Sequence, residues 1–310
     1  MLELVLRING YGKLEIYEPD PALYWRLKPN QKCYTKIDHK PVRINSQGTR
    51  GPEFEATKRP DTIRILSLGD SRTFGWGLAE EETYSLLFQR CLQQKIGSAK
   101  NIEVINAGVN AWSYAQILTY FRHTGVTYRP DIVILGEANL WTQFSEQNSP
   151  QFVEKFMLRV RLKNFLRRFA IYHYVVELKL KNFYERHRTK FIPVEPGQDT
   201  LFKEQQKNEP DAAFRSAIEN LCSLSLSNHI QPILLYLPVL QDLGPTNTSS
   251  VLKLKREVAE KWSIPLVNPA HELQSGGKDF YLEADPVHLN YRGNQIIARA
   301  LFDTVARFSN

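Results

Sequence analysis

The chain contains 310 residues, of which 42% are hydrophobic, and its mean hydropathy is −0.38. This composition indicates a globular protein with a sizeable core, arranged as one long domain rather than clearly two. No apolar run approaches the roughly 18 residues that a transmembrane helix needs, so no such helix is predicted.

The formal net charge of +7 is concentrated in one segment. Between Gln151 and Lys190 there are eleven Lys or Arg residues against three Glu, a local charge of +8, so the rest of the chain is nearly neutral. The excess therefore predicts a local basic element and not a nucleic-acid-binding protein.

The cysteines do not predict a metal site or a disulfide framework. Cys33, Cys91 and Cys222 are odd in number and widely spaced, and no two of them form a C-x-x-C pair. We expect no metal ion and no organic cofactor.

In chain order, residues 1–60 come first and are rich in Pro, Tyr and Lys without a sustained period. They predict an extended N-terminal arm packed on the core.

Residues 61–310 predict one α/β domain, in which short apolar runs alternate with helical patterns. The runs predict buried strands at 63–68, 102–107, 131–136, 231–238 and 264–268. The helical patterns cover 83–96, 114–123, 251–261 and 291–309. This alternation predicts a three-layer α/β/α sandwich around a five-stranded parallel sheet.

A helical insertion is predicted at about 145–215, where aromatic and aliphatic residues recur at helical spacing between basic ones. Three interpretations stay open. The insertion is a cap over the cleft, a solvated helix face with extended Lys and Arg side chains, or a contact with an anionic membrane surface.

The motif GDSRTFG at 69–75 directly follows the first predicted strand of the domain. Turns favour small polar residues, so one interpretation of Ser71 is purely structural. In the other, Ser71 is a nucleophile held where a strand ends and a helix begins. Ser71, Gly108 and Asn139 each lie just beyond the carboxyl end of a predicted strand, where parallel sheets bind ligands.

A candidate base lies in the segment DPVHLN at 285–290. Asp285 and His288 are three residues apart, so the carboxylate can fix the tautomer of the imidazole and stabilise its charged form. A base oriented in this way can take the proton of a serine hydroxyl.

Together these motifs resemble the four blocks of the SGNH (or GDSL) hydrolase family, over roughly residues 60–145 and 230–305. The blocks correspond to GDSRTFG, VINAGVNAWSYAQ, GEANLW and DPVHLNYRGN. The resemblance implies a flavodoxin-like fold and a serine esterase or acylhydrolase that cleaves a short-chain or acetyl ester through an acyl-enzyme. Two alternatives stay open: an O-acyltransferase acting on a glycan or another alcohol, and a catalytically silent binding protein of the same fold.

Carried over to this chain, the family mechanism implies that Ser71 attacks the ester and that His288, oriented by Asp285, acts as general base and then general acid. The oxyanion hole would consist of the N–H groups of Ser71 and Gly108 and the side-chain amide of Asn139. The third block departs from the family pattern Gly-x-Asn-Asp, since this chain has GEANL at 136–140. Asn148 is therefore an alternative donor, and a loop cap is the alternative role of Asn139.

Further residues near these motifs have open roles. We predict that Arg72 binds an anionic or polyhydroxyl substrate, with a salt bridge to a loop acid as the alternative, and that Asp70 has a structural role in the turn. Trp76, Trp112 and Trp141 follow predicted strand ends, so they either line the cleft or cover the edge of the sheet.

The expected partner is a small-molecule or glycan ester, and the oligomeric state is not predicted. Residues 3–31 resemble the stem that follows an N-terminal membrane anchor in bacterial envelope members of the family. The short apolar start MLELVLR, with its early acid, does not predict a signal peptide. We expect a cytoplasmic location for the chain as it stands, or the cell envelope if an anchor precedes it.

Overall fold

The computed structural model describes residues 1–139, 150–191, 212–244, 249–283 and 285–306. The strands in these ranges are β1 (Tyr17–Asp20), β2 (Tyr24–Leu27), β3 (Gln31–Tyr34), β4 (Pro41–Ile44), β5 (Thr62–Leu68), β6 (Asn101–Asn106), β7 (Ile132–Leu135), β8 (Gln231–Leu235) and β9 (Leu266–Val267). The helices are α1 (Leu2–Ile8), α2 (Ser71–Phe74), α3 (Tyr84–Ile96), α4 (Tyr114–His123), α5 (Pro150–Leu166), α6 (Ala170–Phe191), α7 (Ala212–Ser227), α8 (Ser250–Trp262), α9 (Ala270–Gln274) and α10 (Tyr291–Ala306). Short 3-10 turns lie at Glu80–Glu82, Gly125–Tyr128, Leu240–Leu243 and Gly277–Phe280.

Strands β5 to β9 form one parallel sheet in the order β6-β5-β7-β8-β9. They coincide with the five apolar runs of the sequence, so the predicted sheet is confirmed. The central strand β5 pairs on both sides, and Ile65 lies between Val104 of β6 and Ile132 of β7.

Helices cover both faces of this sheet. Leu66 of β5 belongs to a core cluster with Phe121 of α4 and Leu221 of α7. The next residue toward the N-terminus, Ile65, belongs to a second cluster with Phe88 of α3. Because successive strand residues point to opposite faces, the two clusters lie on opposite sides of the sheet. The predicted three-layer α/β/α architecture is confirmed.

Residues 1–60 contain α1 and two antiparallel hairpins, β1-β2 and β3-β4. Tyr17, Trp25 and Cys33 of these hairpins belong to the same core cluster as α4. The backbone N–H of Arg50 donates to the carbonyl of Asn106 (3.0 Å) at the carboxyl end of β6. The N-terminal segment is thus attached to the end of the sheet where the predicted site lies.

Helices α5 and α6 lie in the segment predicted as an insertion, and both pack on the N-terminal segment. Phe156 of α5 stacks on Trp25, with ring centroids 5.3 Å apart and an interplanar angle of 29°. At the start of α6, the Glu3 carboxylate accepts hydrogen bonds from the N–H groups of Ala170 (2.9 Å) and Ile171 (3.2 Å). Within the described ranges, no helix combines the length and the apolar content needed to cross a bilayer.

Candidate active site

Ser71 is the first residue of the short helix α2, immediately beyond β5. Asp70 caps this helix, because its Oδ1 accepts a hydrogen bond from the N–H of Arg72 (2.9 Å). The N–H of Asp70 donates to the carbonyl of Glu137 (2.8 Å), which ties the turn to the end of β7. The Ser71 hydroxyl is therefore held at a fixed position beyond the carboxyl end of the central strand β5.

The other end of α2 is held by Arg50 from the N-terminal segment. The helix ends at Gly75, whose φ of +88° suits glycine. The Arg50 guanidinium donates to the carbonyls of Phe74 (2.7 Å), Gly75 (2.6 Å) and Leu78 (2.5 Å). Burial lowers the pKa of Arg50 to about 10, so the side chain stays charged at neutral pH and satisfies the carbonyls that a helix end leaves open.

Ser71, His288 and Asp285 lie together although 217 positions separate the serine from the histidine. Ser71 Oγ is 2.8 Å from His288 Nε2, and His288 Nδ1 is 2.7 Å from Asp285 Oδ2. The Asp285 carboxylate is nearly buried, and its Oδ1 accepts from the N–H groups of Val287 (2.9 Å) and His288 (3.2 Å).

This order of contacts fixes the proton positions. A carboxylate can only accept, so the neutral imidazole carries its proton on Nδ1 and leaves Nε2 to accept from the Ser71 hydroxyl. That tautomer is the one a general base needs in order to take the serine proton. Ser71 can thus pass its proton to His288, while Asp285 stays ionised and holds the imidazole in this tautomer.

Trp76 lies against the imidazole of His288, as the sequence allowed for a residue that lines the cleft. The ring centroids are 5.5 Å apart and the planes are inclined by 22°. The Lys36 ammonium lies 4.3 Å from the centroid of the same indole and 2.9 Å from Glu15 Oε1. Burial lowers the pKa of Lys36. Burial on its own would raise the pKa of Glu15, but the nearby charges of Lys36 and Arg167 together bring it below its ordinary value.

Arg72 makes its contacts within the turn. Its Nη2 lies 2.7 Å and its Nε 3.2 Å from the Asp70 carboxylate, and Nη1 donates to the carbonyl of Leu237 (3.3 Å). Burial alone would lower the pKa of Arg72, but Asp70 raises it well above its ordinary value. The structure therefore contains the salt bridge to a nearby acid that the sequence left as the alternative to substrate binding, and Asp70 has the structural role predicted for it.

The loop after β6 explains why residue 108 is glycine. A Cβ at Gly108 would lie 2.3 Å from the backbone nitrogen of Phe74, so only glycine lets this loop approach α2. The N–H of Gly108 already donates to Asn106 Oδ1 (3.1 Å). The predicted oxyanion role of Gly108 is not favoured by this geometry, because its N–H would first have to leave Asn106.

Ala111 in the same loop escaped the sequence analysis. Its φ is +67°, a conformation that alanine rarely adopts. The flanking residues place it beside the nucleophile turn, since the N–H of Val109 donates to the carbonyl of Gly69 (3.0 Å) and the Trp112 carbonyl accepts from the N–H of Asn139 (2.9 Å). In the part of the chain that the structure describes, the N–H groups of Ala111 and Ser71 have no acceptor. No signal in the sequence marks an alanine for this conformation.

The other predicted donors and tryptophans differ in their outcome. Asn139 is half-buried beside residues 112–113, so its amide role remains a prediction. Trp112 is completely buried and its Nε1 donates to the carbonyl of Trp25 (2.9 Å). This corrects the interpretation that Trp112 lines the cleft and contacts the substrate, because a buried core indole presents no surface to a ligand. Asn148 and Trp141 lie outside the described residues.

A buried ion pair next to the site was also missed. Lys255 Nζ donates to Glu137 Oε1 (2.7 Å) and to the carbonyls of Gly136 (3.0 Å) and Leu235 (2.6 Å). Both side chains are almost entirely buried, and burial lowers the pKa of Lys255. Glu137 also accepts from the N–H of Leu237 (3.2 Å), so the pair joins the carboxyl ends of β7 and β8.

For metal binding, the described ranges contain no group of three or more His, Cys, Asp or Glu side chains placed to hold an ion.

Comparison with known proteins finds similarity only to solved structures, and at low sequence identity. No family model matches the chain, and no curated protein matches it. Esterase EstA from Pseudoalteromonas sp. is 15% identical with a TM-score of 0.46, and the match covers 80% of this chain and 99% of that one. A lipolytic protein of the G-D-S-L family from Desulfitobacterium hafniense is 15% identical, with a TM-score of 0.45 and coverage of 78% and 98%.

An acetylxylan esterase from Geobacillus stearothermophilus is 14% identical, with a TM-score of 0.48 and coverage of 78% and 94%. These solved structures are an esterase, a lipolytic protein of the G-D-S-L family and an acetylxylan esterase, and their low identities and TM-scores leave the activity of this chain to be inferred from its own residues.

Proposed function

We propose that the chain is a serine ester hydrolase that acts through an acyl-enzyme formed on Ser71. The single observation that carries the proposal is the continuous contact from Ser71 Oγ through the His288 imidazole to the Asp285 carboxylate, with distances of 2.8 Å and 2.7 Å. A purely structural turn has no need of a histidine and a buried carboxylate drawn from the far end of the chain.

In the proposed reaction, Ser71 Oγ attacks the ester carbonyl while His288 Nε2 takes the hydroxyl proton. The charged imidazolium is stabilised by Asp285, which stays ionised. When the tetrahedral intermediate collapses, His288 gives the proton to the leaving alkoxide and the acyl group remains on Ser71. A water molecule then releases the acid by the same steps, again with His288 as base.

We propose that the oxyanion is bound by the N–H groups of Ser71 and Ala111, with the side-chain amide of Asn139 as a third donor. Two features support the first two donors. Both N–H groups lack an acceptor among the described residues, and the segments that carry them are joined by the hydrogen bond from the N–H of Val109 to the carbonyl of Gly69. Losing one donor of this kind typically costs about 3–4 kcal/mol of transition-state stabilisation.

The acyl group is proposed to be short, such as acetyl. The residues on both sides of Ser71, Asp70 and Arg72, are charged and paired to each other. A long alkyl chain that runs past Ser71 would cover the part of the Arg72 side chain that solvent still reaches, which is unfavourable. A small acyl group avoids that contact.

The decisive test is labelling by a fluorophosphonate, which reacts with activated serine nucleophiles. We expect labelling of the wild-type chain and of no residue in Ser71→Ala. In Asp285→Asn, kcat on p-nitrophenyl acetate should fall by about 10⁴-fold, because the amide favours the wrong imidazole tautomer. Circular dichroism and the unfolding midpoint should match the wild type in both variants. A folded wild-type chain that resists the probe would overturn the proposal and favour a binding protein.

Two further measurements define the substrate. A series of p-nitrophenyl esters from acetyl to longer chains should show the highest kcat/KM at the short end, and a maximum at long chains would contradict the short acyl group. Turnover in the presence of an added sugar alcohol separates the hydrolase from an O-acyltransferase, since only a transferase yields the acylated sugar as the main product.

A further inference from the structure

Three neighbouring helices expose apolar side chains on one side of the molecule. The exposed set, termed here the helical face, comprises Leu4 and Ile8 of α1, Leu162 and Phe165 of α5, and Ile171 and Val175 of α6. Their side chains are far from buried, with 77% exposure at Ile8 and 62% at Leu162. Single exposed apolar residues are common, but a group of them on adjacent helices marks an interaction surface.

Polar contacts join α1 to α6, and an aromatic contact joins α5 to the turn before α6, so the three helices form one continuous surface. Glu3 of α1 caps the start of α6 at Ala170 and Ile171, and the Arg7 guanidinium donates to the carbonyl of Arg168 (3.2 Å). The turn between α5 and α6 is closed by Phe165 and Phe169, whose ring centroids are 5.4 Å apart.

The opposite sides of α5 and α6 are held by the N-terminal segment. Asn164 accepts from the N–H of Tyr17 (3.0 Å), and Nδ1 of the buried His173 lies 3.3 Å from the carbonyl of Gly12. Both helices are therefore fixed with their apolar outer positions directed away from the N-terminal segment, and among the described residues these positions stay exposed.

The charge around the helical face is strongly positive. The segment 151–190 carries +8, and its exposed basic residues include Lys155, Arg159, Lys163 and Arg168. One of its three acids, Glu177, is buried and paired with Lys181 (2.8 Å) and His39 (2.9 Å). The face thus combines apolar side chains with cations, which is the composition of surfaces that lie in a lipid interface.

We propose that the helical face binds the surface of an anionic lipid bilayer. The apolar side chains enter the boundary between head groups and acyl chains, and the surrounding Lys and Arg contact lipid phosphates. A second copy of the chain is the less favourable occupant, because an isologous dimer would bring two surfaces of the same positive charge together. The proposal is independent of the chemistry at Ser71.

The test is co-sedimentation of the full chain with vesicles of phosphatidylcholine and phosphatidylglycerol, compared with vesicles of phosphatidylcholine alone. We expect binding to the anionic vesicles only, weakened by high salt. The double variant Leu162→Ser, Phe165→Ser and the double variant Arg159→Glu, Lys163→Glu should each bind at least about tenfold more weakly. Leu226→Ser, which removes an exposed leucine of α7 outside the face, should bind like the wild type.

The proposal is overturned if anionic vesicles do not retain the wild-type chain, or if the face variants bind as well as Leu226→Ser does. It is also overturned if light scattering finds a dimer that Leu162→Ser, Phe165→Ser converts to monomer, since a second copy would then cover the face. The Ser71→Ala variant should bind vesicles normally, which separates this result from a failure of the proposed hydrolase activity.

Discussion

The indole of Trp76 stacks on the imidazole of His288, with centroids 5.5 Å apart, and the Lys36 ammonium lies 4.3 Å from the centroid of the same indole. Lys36 belongs to the N-terminal segment and is paired there with Glu15. The candidate base is therefore positioned from two directions, by Asp285 within its own loop and by an indole that contacts the N-terminal segment.

Replacing Trp76 by alanine should remove the surface that limits the movement of the His288 ring. We expect kcat on p-nitrophenyl acetate to fall about tenfold with little change in KM, because misplacement of a catalytic group by a fraction of an ångström slows the chemical step. Trp76→Phe keeps an aromatic face and should retain most of the activity. If Trp76→Ala changes KM and leaves kcat intact, the indole contacts the substrate and does not position the base.

The salt bridge between Arg72 and Asp70 predicts a structural effect of Arg72. In Arg72→Met the buried Asp70 loses its partner, so the free energy of unfolding should fall by about 1–3 kcal/mol. The ratio of kcat/KM for an anionic ester to that for a neutral ester should stay within about twofold of the wild type. Urea unfolding and steady-state kinetics measure the two effects, and Arg90→Met on the exposed side of α3 is the matched control. A larger fall in kcat/KM for the anionic ester than for the neutral ester would instead support substrate binding by Arg72.

Much of the architecture was predictable because it follows from local patterns. The apolar runs at 63–68 and 131–136 are short and bounded by turn residues, which is typical of strands buried on both faces. Parallel strands place their carboxyl ends at one end of the sheet, so the sequence predicts that Ser71 and Asn139 lie at the same end. The order of the strands depends on packing, so no local pattern gives it, but the observed order β6-β5-β7-β8-β9 is that of the flavodoxin-like fold that the resemblance implies.

Other parts of the site depend on contacts that no local pattern carries. Glu137 and Lys255 are separated by 118 positions, and a lysine in a charged amphipathic helix such as α8 is ordinarily an exposed residue. Ala111 takes a left-handed conformation between Val109 and Trp112, which are hydrogen-bonded to Gly69 and Asn139. In both cases tertiary contacts override the usual behaviour of the residue.

The conformation of Ala111 predicts opposite effects for two substitutions. Ala111→Gly should leave activity unchanged and stability equal or slightly higher, because relief of about 1–2 kcal/mol of strain outweighs or matches the greater entropy of the unfolded chain. Ala111→Val cannot adopt φ of +67° without further strain, so the N–H should move and kcat/KM should fall by at least about tenfold. Thermal unfolding and esterase kinetics measure both variants. If kcat/KM fell equally in Ala111→Gly and Ala111→Val, the side chain of Ala111 and not its backbone conformation would matter for activity.

The buried pair of Glu137 and Lys255 predicts strong coupling in stability. Lys255→Met leaves a buried carboxylate without its cation and should cost about 3–5 kcal/mol of unfolding free energy. Adding Glu137→Leu should recover part of this loss, because an apolar pair of similar volume avoids the uncompensated charge. The exposed pair of Lys261 and Glu219 is the matched control, and Lys261→Met should cost less than about 1 kcal/mol. Additive effects of the two buried substitutions in urea unfolding would contradict the coupling.

The contact between α6 and the N-terminal segment should make stability depend on pH. Burial lowers the pKa of His173, whose imidazole is surrounded by Tyr11, His39 and Glu177. Below the ordinary pKa of about 6.5, His173 therefore binds a proton in the unfolded chain but not in the folded chain. Proton binding then favours unfolding, so the free energy of unfolding falls as the pH decreases from about 6.5 toward the lowered pKa. One histidine contributes a slope of at most about 1.4 kcal/mol per pH unit. Urea unfolding at several pH values between about 7.5 and 5.5 should show a smaller decline in His173→Gln than in the wild type. His271→Gln, an exposed histidine of α9, should decline like the wild type, and an unchanged slope in His173→Gln would mean that His173 does not titrate on unfolding in this range.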